Sequence, residues 1–213
     1  MPTATERFSQ ALRARAKDFG VHLSRDDLDG LISYYELVMK WNARLHLVGP
    51  CSPEEFGARH ILESLVLLTH LSQDALITDV GSGAGLPIIP CLIVRADLRA
   101  TLIESSQKKA VFLKEALKGL PNPEAHQVLV TRFEDTRTVE AEFVTCRALD
   151  RFQRLLPKLI EWAPVSSTLV LFAGPALREK IETLVPGARA ELIPGSEQRF
   201  LMIAQKTTQP RCG

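Results

Sequence analysis

Three glycines alternate in residues 79–87, which read DVGSGAGLP. Glycine permits backbone dihedral angles that other residues avoid, and it lets a ligand approach the main chain closely. The turn follows the short apolar run ALITDV and precedes a helical pattern, so the N–H groups of a helix start would face the same place. This order favours a nucleotide-binding site, although a tight strand-to-helix connection without a ligand would contain the same glycines.

A carboxylate in the next apolar run would complete a nucleoside site. Glu104 ends that run, and 104 − 79 places it 25 residues past Asp79. Acids at this point of dinucleotide-binding folds accept hydrogen bonds from the ribose hydroxyls. The spacing Gly81-x-Gly83-x-Gly85 differs from the GxGxxG pattern that favours a pyrophosphate. S-adenosylmethionine has no phosphate, so the turn suits that ligand better than NAD, while spacing alone leaves both open.

These residues need a sheet to position them, and the chain supplies the pattern of one. Short runs rich in aliphatic and β-branched residues recur, and helical stretches separate several of them, which predicts a parallel sheet covered on both faces. The runs occupy residues 75–80, 100–105, 126–131, 141–147 and 167–173. Two final runs, at residues 188–194 and 198–206, predict an antiparallel hairpin around Gly195 and Ser196, at or near the sheet edge. This ending is more typical of methyltransferase sheets than of dehydrogenase sheets.

The N-terminal third is predicted to be helical. Ser24 is a candidate N-cap for a helix over about residues 25–47, and SPEEFGARHILESLVLLTHL, from residue 52, repeats the pattern with Pro at the first helical position. We therefore expect residues 1–72 to form a helical cap within the same compact unit as a cofactor-binding domain over residues 73–213.

Composition limits the possible partners. The chain has 213 residues, with 26 Lys and Arg against 25 Asp and Glu, so a nucleic acid would be bound by a local basic patch rather than by net charge. No apolar run is long enough to span a bilayer, and the first 15 residues lack the apolar core of a signal peptide, which favours the cytoplasm. The four cysteines have no spacing suited to zinc, so we expect free thiols and no metal.

Five blocks in order carry a resemblance to a known family. They are RHILESL, DVGSGAGLP, LIESSQKKAVFLKEAL, TRFED and VTCRAL, within residues 41–149. The chain resembles the bacterial 16S rRNA guanine-N7 methyltransferases, called RsmG or glucose-inhibited division protein B. The resemblance implies a class I methyltransferase fold with a mostly parallel seven-stranded sheet, S-adenosylmethionine as methyl donor, and a guanine of 16S rRNA or of the small ribosomal subunit as acceptor.

The resemblance and the strand ends together give the candidate site residues. The expected cofactor contacts are Asp79, Gly81, Gly83, Gly85, Leu86, Glu104, Phe133, Glu134 and Arg147. Arg147 and Arg132 are the catalytic candidates, and Lys108, Lys109 and Arg151 are the RNA-binding candidates. A phosphate-binding stripe would combine Arg147 and Arg151 with Arg154 and Lys158.

Two positions depart from the family pattern. Ile88 stands where the family has glycine in LPGIP, which puts the shape of the turn in question, and Glu63 replaces an aspartate in HILDSL. Glu63 lies one turn from His60 on the predicted helix; the pair either borders the pocket or is an ordinary surface pair.

The chemistry of guanine N7 agrees with what the fourth strand lacks. N7 carries a lone pair and no proton, so positioning and electrostatics suffice for methyl transfer. TCRALD contains no (N/D)PP(Y/F) motif of the kind used on exocyclic amines. Cys146 is interpreted as a buried strand residue rather than a nucleophile. The alternatives are a small-molecule methyltransferase on the same fold, a dehydrogenase, or a non-catalytic nucleotide-binding module. In the absence of an apolar seam, we expect a monomer.

Overall fold

The computed structural model describes residues 1–147 and 152–206. Its centre is a seven-stranded sheet in the order β3-β2-β1-β4-β5-β7-β6. The strands are β1 (Leu76–Val80), β2 (Arg99–Ile103), β3 (His126–Leu129), β4 (Phe143–Arg147), β5 (Thr168–Ala173), β6 (Arg189–Leu192) and β7 (Phe200–Gln205). All seven strands were predicted, with bounds that differ by a few residues.

The sheet is parallel except for β7. Strands β1 to β5 pair in parallel, whereas β7 pairs antiparallel with both β5 and β6. The predicted hairpin is therefore confirmed, with β6 at the edge and β7 one position inside it. The strands β1, β2 and β4 are almost entirely buried, as expected for parallel strands covered on both faces.

Two helices begin the N-terminal region, α1 (Ala4–Arg15) and α2 (Arg25–Leu45). Each starts with a capping box, in which a Ser or Thr side chain and an acidic side chain three residues later bond each other's backbone N–H groups. Ser24 caps α2 in this way, as the sequence predicted. The helix ends at Leu45, where His46 adopts a left-handed conformation with φ 47°.

The second predicted helix of the cap is irregular. It consists of α3 (Pro53–Glu55), a π-helical segment over Phe56–Leu62, α4 (Glu63–Leu65) and a 3-10 segment over Val66–His70. A π-helical turn widens the backbone by one residue and often lies at a functional site. Glu63 and Ser64 directly follow this segment, and both are buried.

Four further helices cover the sheet: α5 (Ile88–Val94), α6 (Gln107–Leu117), α7 (Phe152–Trp162) and α8 (Pro175–Leu184). The cap, α5 and α6 share one hydrophobic cluster with one face of the sheet. Helices α7 and α8 pack in a second cluster on the other face. The cap and the sheet therefore have a common core. Within the described ranges, no helix is both long and apolar enough to cross a bilayer.

Candidate active site

The glycine turn lies at the carboxyl edge of the sheet, where β1 leads towards α5. The backbone N–H groups of Gly81 and Ser82 both donate to the carbonyl of Ile103 at the end of β2, at 2.9 and 3.2 Å. Gly81, Gly83 and Gly85 have φ values of 73°, 54° and 84°. These are left-handed conformations that side chains disfavour, which explains the alternation of glycines.

Gly85 has a second reason to be glycine. A Cβ atom there would lie 2.3 Å from Cδ1 of Ile89, in the first turn of α5. The neighbouring Ile88, which replaces a family glycine, begins α5 and is fully buried in the core. Ile88 is not among the residues with positive φ. A branched side chain is thus accommodated without backbone strain at this position.

Glu104, which directly follows β2, is hydrogen-bonded to the glycine turn. Its Oε2 accepts the N–H of Gly83 at 2.9 Å, and its Oε1 accepts the N–H of Ser106 at 2.7 Å. The side chain is almost buried, at 7% exposure. Each carboxylate oxygen has a second lone pair, so both can still accept a hydroxyl of a bound ribose. Glu104 therefore has a structural role in the turn besides the predicted ligand contact.

Asp79 lies beneath the turn, with its side chain fully buried. Thr145 of β4 donates to Oδ1 at 2.7 Å, and Oδ2 has no hydrogen-bond partner in the described structure. Burial raises the pKa of Asp79 to about 7, against the opposing effect of its hydrogen bonds. The carboxyl is therefore partly protonated at neutral pH, and a direct cofactor contact by Asp79 remains a prediction.

A cleft of about 560 Å³ opens beside the turn, at the ends of β1, β2 and β3 and against α7. It contains four of the predicted cofactor and catalytic residues, namely Gly81, Arg132, Phe133 and Glu134, and Arg154 and Lys158 of the predicted phosphate-binding stripe also line it. Its other lining residues are Val80, Ile103, Ser105, Thr131, Arg154, Leu155 and Lys158. Phe133 is buried and packs edge-on against Trp162 at 5.8 Å, so its position is fixed by the core. We call this space the donor cleft.

A second cleft of about 700 Å³ lies past the ends of β4 and β5. Its walls are largely apolar, with charged groups at Glu63, Arg147, Arg154 and Arg199. The remaining lining residues are Phe152, Gln153, Phe172, Ala173, Gly174, Pro175, Ala176, Leu177 and Ile193. Arg154 lines both clefts, so the two spaces adjoin at that side chain. We call the second space the acceptor cleft.

Two arginines converge on one carboxylate in the acceptor cleft. Glu63 is only 2% exposed; its Oε2 lies 3.3 Å from Nη2 of Arg147, and its Oε1 lies 2.7 Å from Nη2 of Arg199. Arg147 also donates to Ser64 Oγ and to the carbonyl of Arg59, and its guanidinium lies 5.1 Å from the ring centroid of Phe172. Burial lowers the pKa of Arg147, although Glu63 favours its charged form. One carboxylate and two guanidinium groups leave an excess positive charge in the acceptor cleft.

Sequence reasoning missed Arg199 altogether. It precedes β7, 136 residues from Glu63, and only the folded sheet brings the two together. The sequence allows either a pocket role or a surface pair for Glu63; the structure shows that Glu63 lines the acceptor cleft and is buried. His60 is partly buried, with its ring 5.1 Å from that of Phe56. Burial, with Arg147 and Arg59, lowers the pKa of His60 to about 4, so its imidazole is neutral at pH 7.

The other predicted residues lie at varied depths. Leu86 is buried after the turn, Lys108 is exposed and Lys109 half-buried at the start of α6, and Cys146 is fully buried in β4 as predicted. Arg151 and Cys212 lie outside the described residues. In the parts of the chain that are described, no group of three or more His, Cys, Asp or Glu side chains is arranged to hold a metal ion.

Comparison with known proteins identifies the family. Residues 27–192 match the family GidB, described as rRNA small subunit methyltransferase G. The chain belongs to the GidB family. The matched range includes the glycine turn, Glu104, both catalytic candidates and all strands of the sheet except β7.

Individual GidB relatives support this membership. The chain is 42% identical over 136 residues to the ribosomal RNA small subunit methyltransferase G of Nitrosomonas europaea, a match that spans 62% of each protein, or about three fifths of its length. It is 33% identical over 191 residues to the protein of that name from Xanthomonas campestris, covering 86% of this chain and 89% of that one.

A solved structure supports the fold. An RNA methyltransferase from Salinibacter ruber, in complex with S-adenosyl-L-homocysteine, superposes with a TM-score of 0.55. The match covers 78% of this chain and 98% of that one at 16% identity. At this identity the likeness shows the fold alone, which is the Rossmann-like methyltransferase fold that the sequence predicted.

Proposed function

We propose that this GidB-family chain transfers a methyl group from S-adenosylmethionine to N7 of a guanine in small-subunit ribosomal RNA. The observation that carries the proposal is the pair of adjoining clefts at the carboxyl edge of a methyltransferase sheet. In α/β folds, ligands bind outside the carboxyl ends of the strands. One cleft borders the glycine turn, and the other offers apolar walls with two converging arginines.

The donor cleft has the features that S-adenosylmethionine requires. Gly81 contributes bare backbone at a position with φ 73°, so the main chain can be approached closely. Glu104 lies between Ile103 and Ser105, which both line this cleft, and would supply lone pairs for the ribose, while Phe133 and Glu134 border the space for an adenine ring. When bound, S-adenosylmethionine supplies an electrophilic methyl group on its sulfonium.

The acceptor cleft suits a flat, electron-rich base. Phe152 and Phe172 contribute aromatic area, while Arg147 and Arg199 supply positive charge that can bind a guanine oxygen or a neighbouring phosphate. Guanine N7 has no proton to lose, so no strong base is needed beside it. Both carboxylate oxygens of Glu63 are engaged by arginines, and the lowered pKa of His60, about 4, makes its imidazole a weak base. Their environment therefore fits transfer to N7.

Methylation of cytosine C5 is disfavoured by the position of Cys146. That chemistry requires a cysteine nucleophile, and the side chain of Cys146 is fully buried within β4. A buried thiol in a strand interior is poorly placed to attack a base. Arg147, the next residue, reaches the acceptor cleft instead, and we assign it the role of binding the acceptor.

The basic side chains around the clefts give a path for RNA. Arg154 and Lys158 lie one turn apart on α7, and both line the donor cleft, as does Arg132. Lys108 and Lys109 extend this basic surface at the start of α6. Phosphate contacts of this kind provide much of the affinity for nucleic acid. Because its proposed substrate is part of the ribosome, we propose that the protein acts in the cytoplasm, and that it does so as a monomer.

The test compares ribosomal RNA from strains with and without the gene. Mass spectrometry of 16S rRNA fragments should show one N7-methylguanosine lost in the deletion strain and restored by the gene. Persistence of every N7-methylguanosine without the gene would contradict the proposal. Calorimetry with S-adenosylhomocysteine and with NAD distinguishes a methyltransferase from a dehydrogenase-like module. Binding of NAD without binding of S-adenosylhomocysteine would indicate the dehydrogenase-like module.

A further inference from the structure

The glycine turn is held by bonds from several different elements. Three consecutive residues of the turn donate backbone hydrogen bonds: Gly81 and Ser82 to the carbonyl of Ile103, and Gly83 to the carboxylate of Glu104. The next residue, Ala84, accepts a hydrogen bond from the N-terminal cap. Its carbonyl accepts the hydroxyl of Tyr34 at 2.6 Å, across 50 residues of sequence.

Tyr34 belongs to the cap rather than to the cofactor-binding sheet. It lies in the middle of α2, and its side chain is almost fully buried. Burial raises the pKa of its hydroxyl, so the group stays protonated and remains a hydrogen-bond donor over the physiological pH range. The ionic groups that influence it most are Arg147 and Asp79. The hydroxyl therefore lies among the groups that surround the turn.

The rest of α2 is placed to hold Tyr34 in position. A Cβ atom on Gly30 would lie 2.7 Å from Cγ2 of Ile93, so α2 approaches α5 closely at that glycine. Further along α2, the Trp41 ring packs edge-on against Phe112 of α6 at 5.9 Å. Helix α2 thus contacts the helices that follow β1 and β2.

A turn with three glycines needs such outside restraint. Glycine loses more conformational freedom on ordering than any other residue, so an unrestrained turn of this composition would populate many conformations. A ligand that binds only one of them has an apparent Kd equal to its intrinsic Kd divided by the populated fraction. Each hydrogen bond that holds the turn in the binding conformation therefore raises the fraction of molecules that can bind the donor.

We propose that Tyr34 is a positioning residue for the methyl donor, through its hydrogen bond to the Ala84 carbonyl of the glycine turn. The inference rests on the proposed function only in taking the cleft beside this turn as the donor site. It makes the N-terminal cap a working part of the cofactor site rather than only a cover for the sheet.

The test is Tyr34→Phe, with Tyr35→Phe as the matched control. Both changes remove one hydroxyl from adjacent buried residues of α2, but the Tyr35 ring packs inside the cap, against Phe8 at 4.4 Å and Phe56 at 5.2 Å. We expect Tyr34→Phe to raise the calorimetric Kd for S-adenosylhomocysteine about five- to tenfold, because the competent fraction of turns falls by that factor. Tyr35→Phe should leave this Kd within about twofold of the wild-type value.

Steady-state methylation of small ribosomal subunits gives a readout that general destabilisation would not produce. For Tyr34→Phe, the KM for S-adenosylmethionine should rise while kcat at saturating donor and the KM for subunits stay near wild-type values. Equal Kd values for wild type and Tyr34→Phe, measured well below both melting temperatures, would overturn the inference. If the wild-type protein itself failed to bind S-adenosylhomocysteine, the proposed function would be at fault instead.

Discussion

Replacement of Glu104 by glutamine separates its two roles at the site. The carboxylate accepts one backbone N–H on each oxygen, from Gly83 and from Ser106. Glutamine has nearly the same shape but only one acceptor oxygen, so its amide N–H₂ would face one of these two donors. A buried donor without a partner costs about 1–3 kcal/mol. We therefore expect the free energy of unfolding to fall by that amount.

Cofactor affinity should fall by a separate contribution. A hydrogen bond to a charged group is worth about 1.5–3 kcal/mol, and the change removes the charge that a ribose hydroxyl would meet. The Kd for S-adenosylhomocysteine should then rise about ten- to a hundredfold, since about 1.4 kcal/mol is tenfold. Calorimetry gives this Kd, and urea unfolding gives the stability.

Glu124→Gln provides the control for net charge. Glu124 is exposed in the 3-10 turn Pro123–Ala125, before β3, so its neutralisation should change neither quantity appreciably. A lowered unfolding free energy for Glu104→Gln together with an unchanged Kd would refute the ribose role.

Three further predictions concern the charged groups around the clefts. Glu63→Gln leaves two guanidinium groups without their buried counter-charge, so the free energy of unfolding should fall by about 3 kcal/mol. The control Glu55→Gln breaks an exposed ion pair and should lower the unfolding free energy by less than about 1 kcal/mol. Equal losses for the two variants in urea unfolding would contradict this prediction. The folded pKa of Asp79 is about 7 and lies above its ordinary value, so its contribution to the unfolding free energy should decline as pH rises from about 4 to 7, whereas the lowered pKa of His60 gives a contribution that rises over nearly the same range. Asp79→Asn should therefore make the unfolding free energy increase more with pH than it does in the wild type; identical pH profiles in urea unfolding would argue against the raised pKa. The double variant Arg154→Ala, Lys158→Ala should make binding to small ribosomal subunits less dependent on salt. The negative slope of log binding constant against log salt should become smaller in magnitude by about 1.4, because each single-strand phosphate contact contributes about 0.7. An unchanged slope would show that neither side chain contacts the RNA.

Local patterns were sufficient to predict the sheet. Buried parallel strands appear as short apolar runs, and each such run became a strand, including the two of the terminal hairpin. The glycine turn and Glu104 were found because ligands bind at the carboxyl ends of such strands. The sequence also predicted the capping of α2 by Ser24, since a cap depends on residues three positions apart.

Long-range contacts were not predictable in this way. The approach of Arg199 to Glu63 and the bond from Tyr34 to the turn span 136 and 50 residues, and no local spacing encodes either one. The π-helical segment was also missed, because its apolar residues match an ordinary helix closely. At Ile88 the family comparison suggested a changed turn, whereas the residue lies in the first turn of α5 and its side chain points into the core.

The most direct test of the proposed function identifies the atom that receives the methyl group. Small ribosomal subunits from a strain lacking the gene would be incubated with the purified protein and S-adenosylmethionine carrying a labelled methyl group. Nuclease digestion and mass spectrometry then locate the label. We predict about one labelled methyl per subunit, at N7 of a single guanine of 16S rRNA. Label on a cytosine carbon or on an exocyclic amine, or no transfer by a protein that binds the donor, would contradict the account.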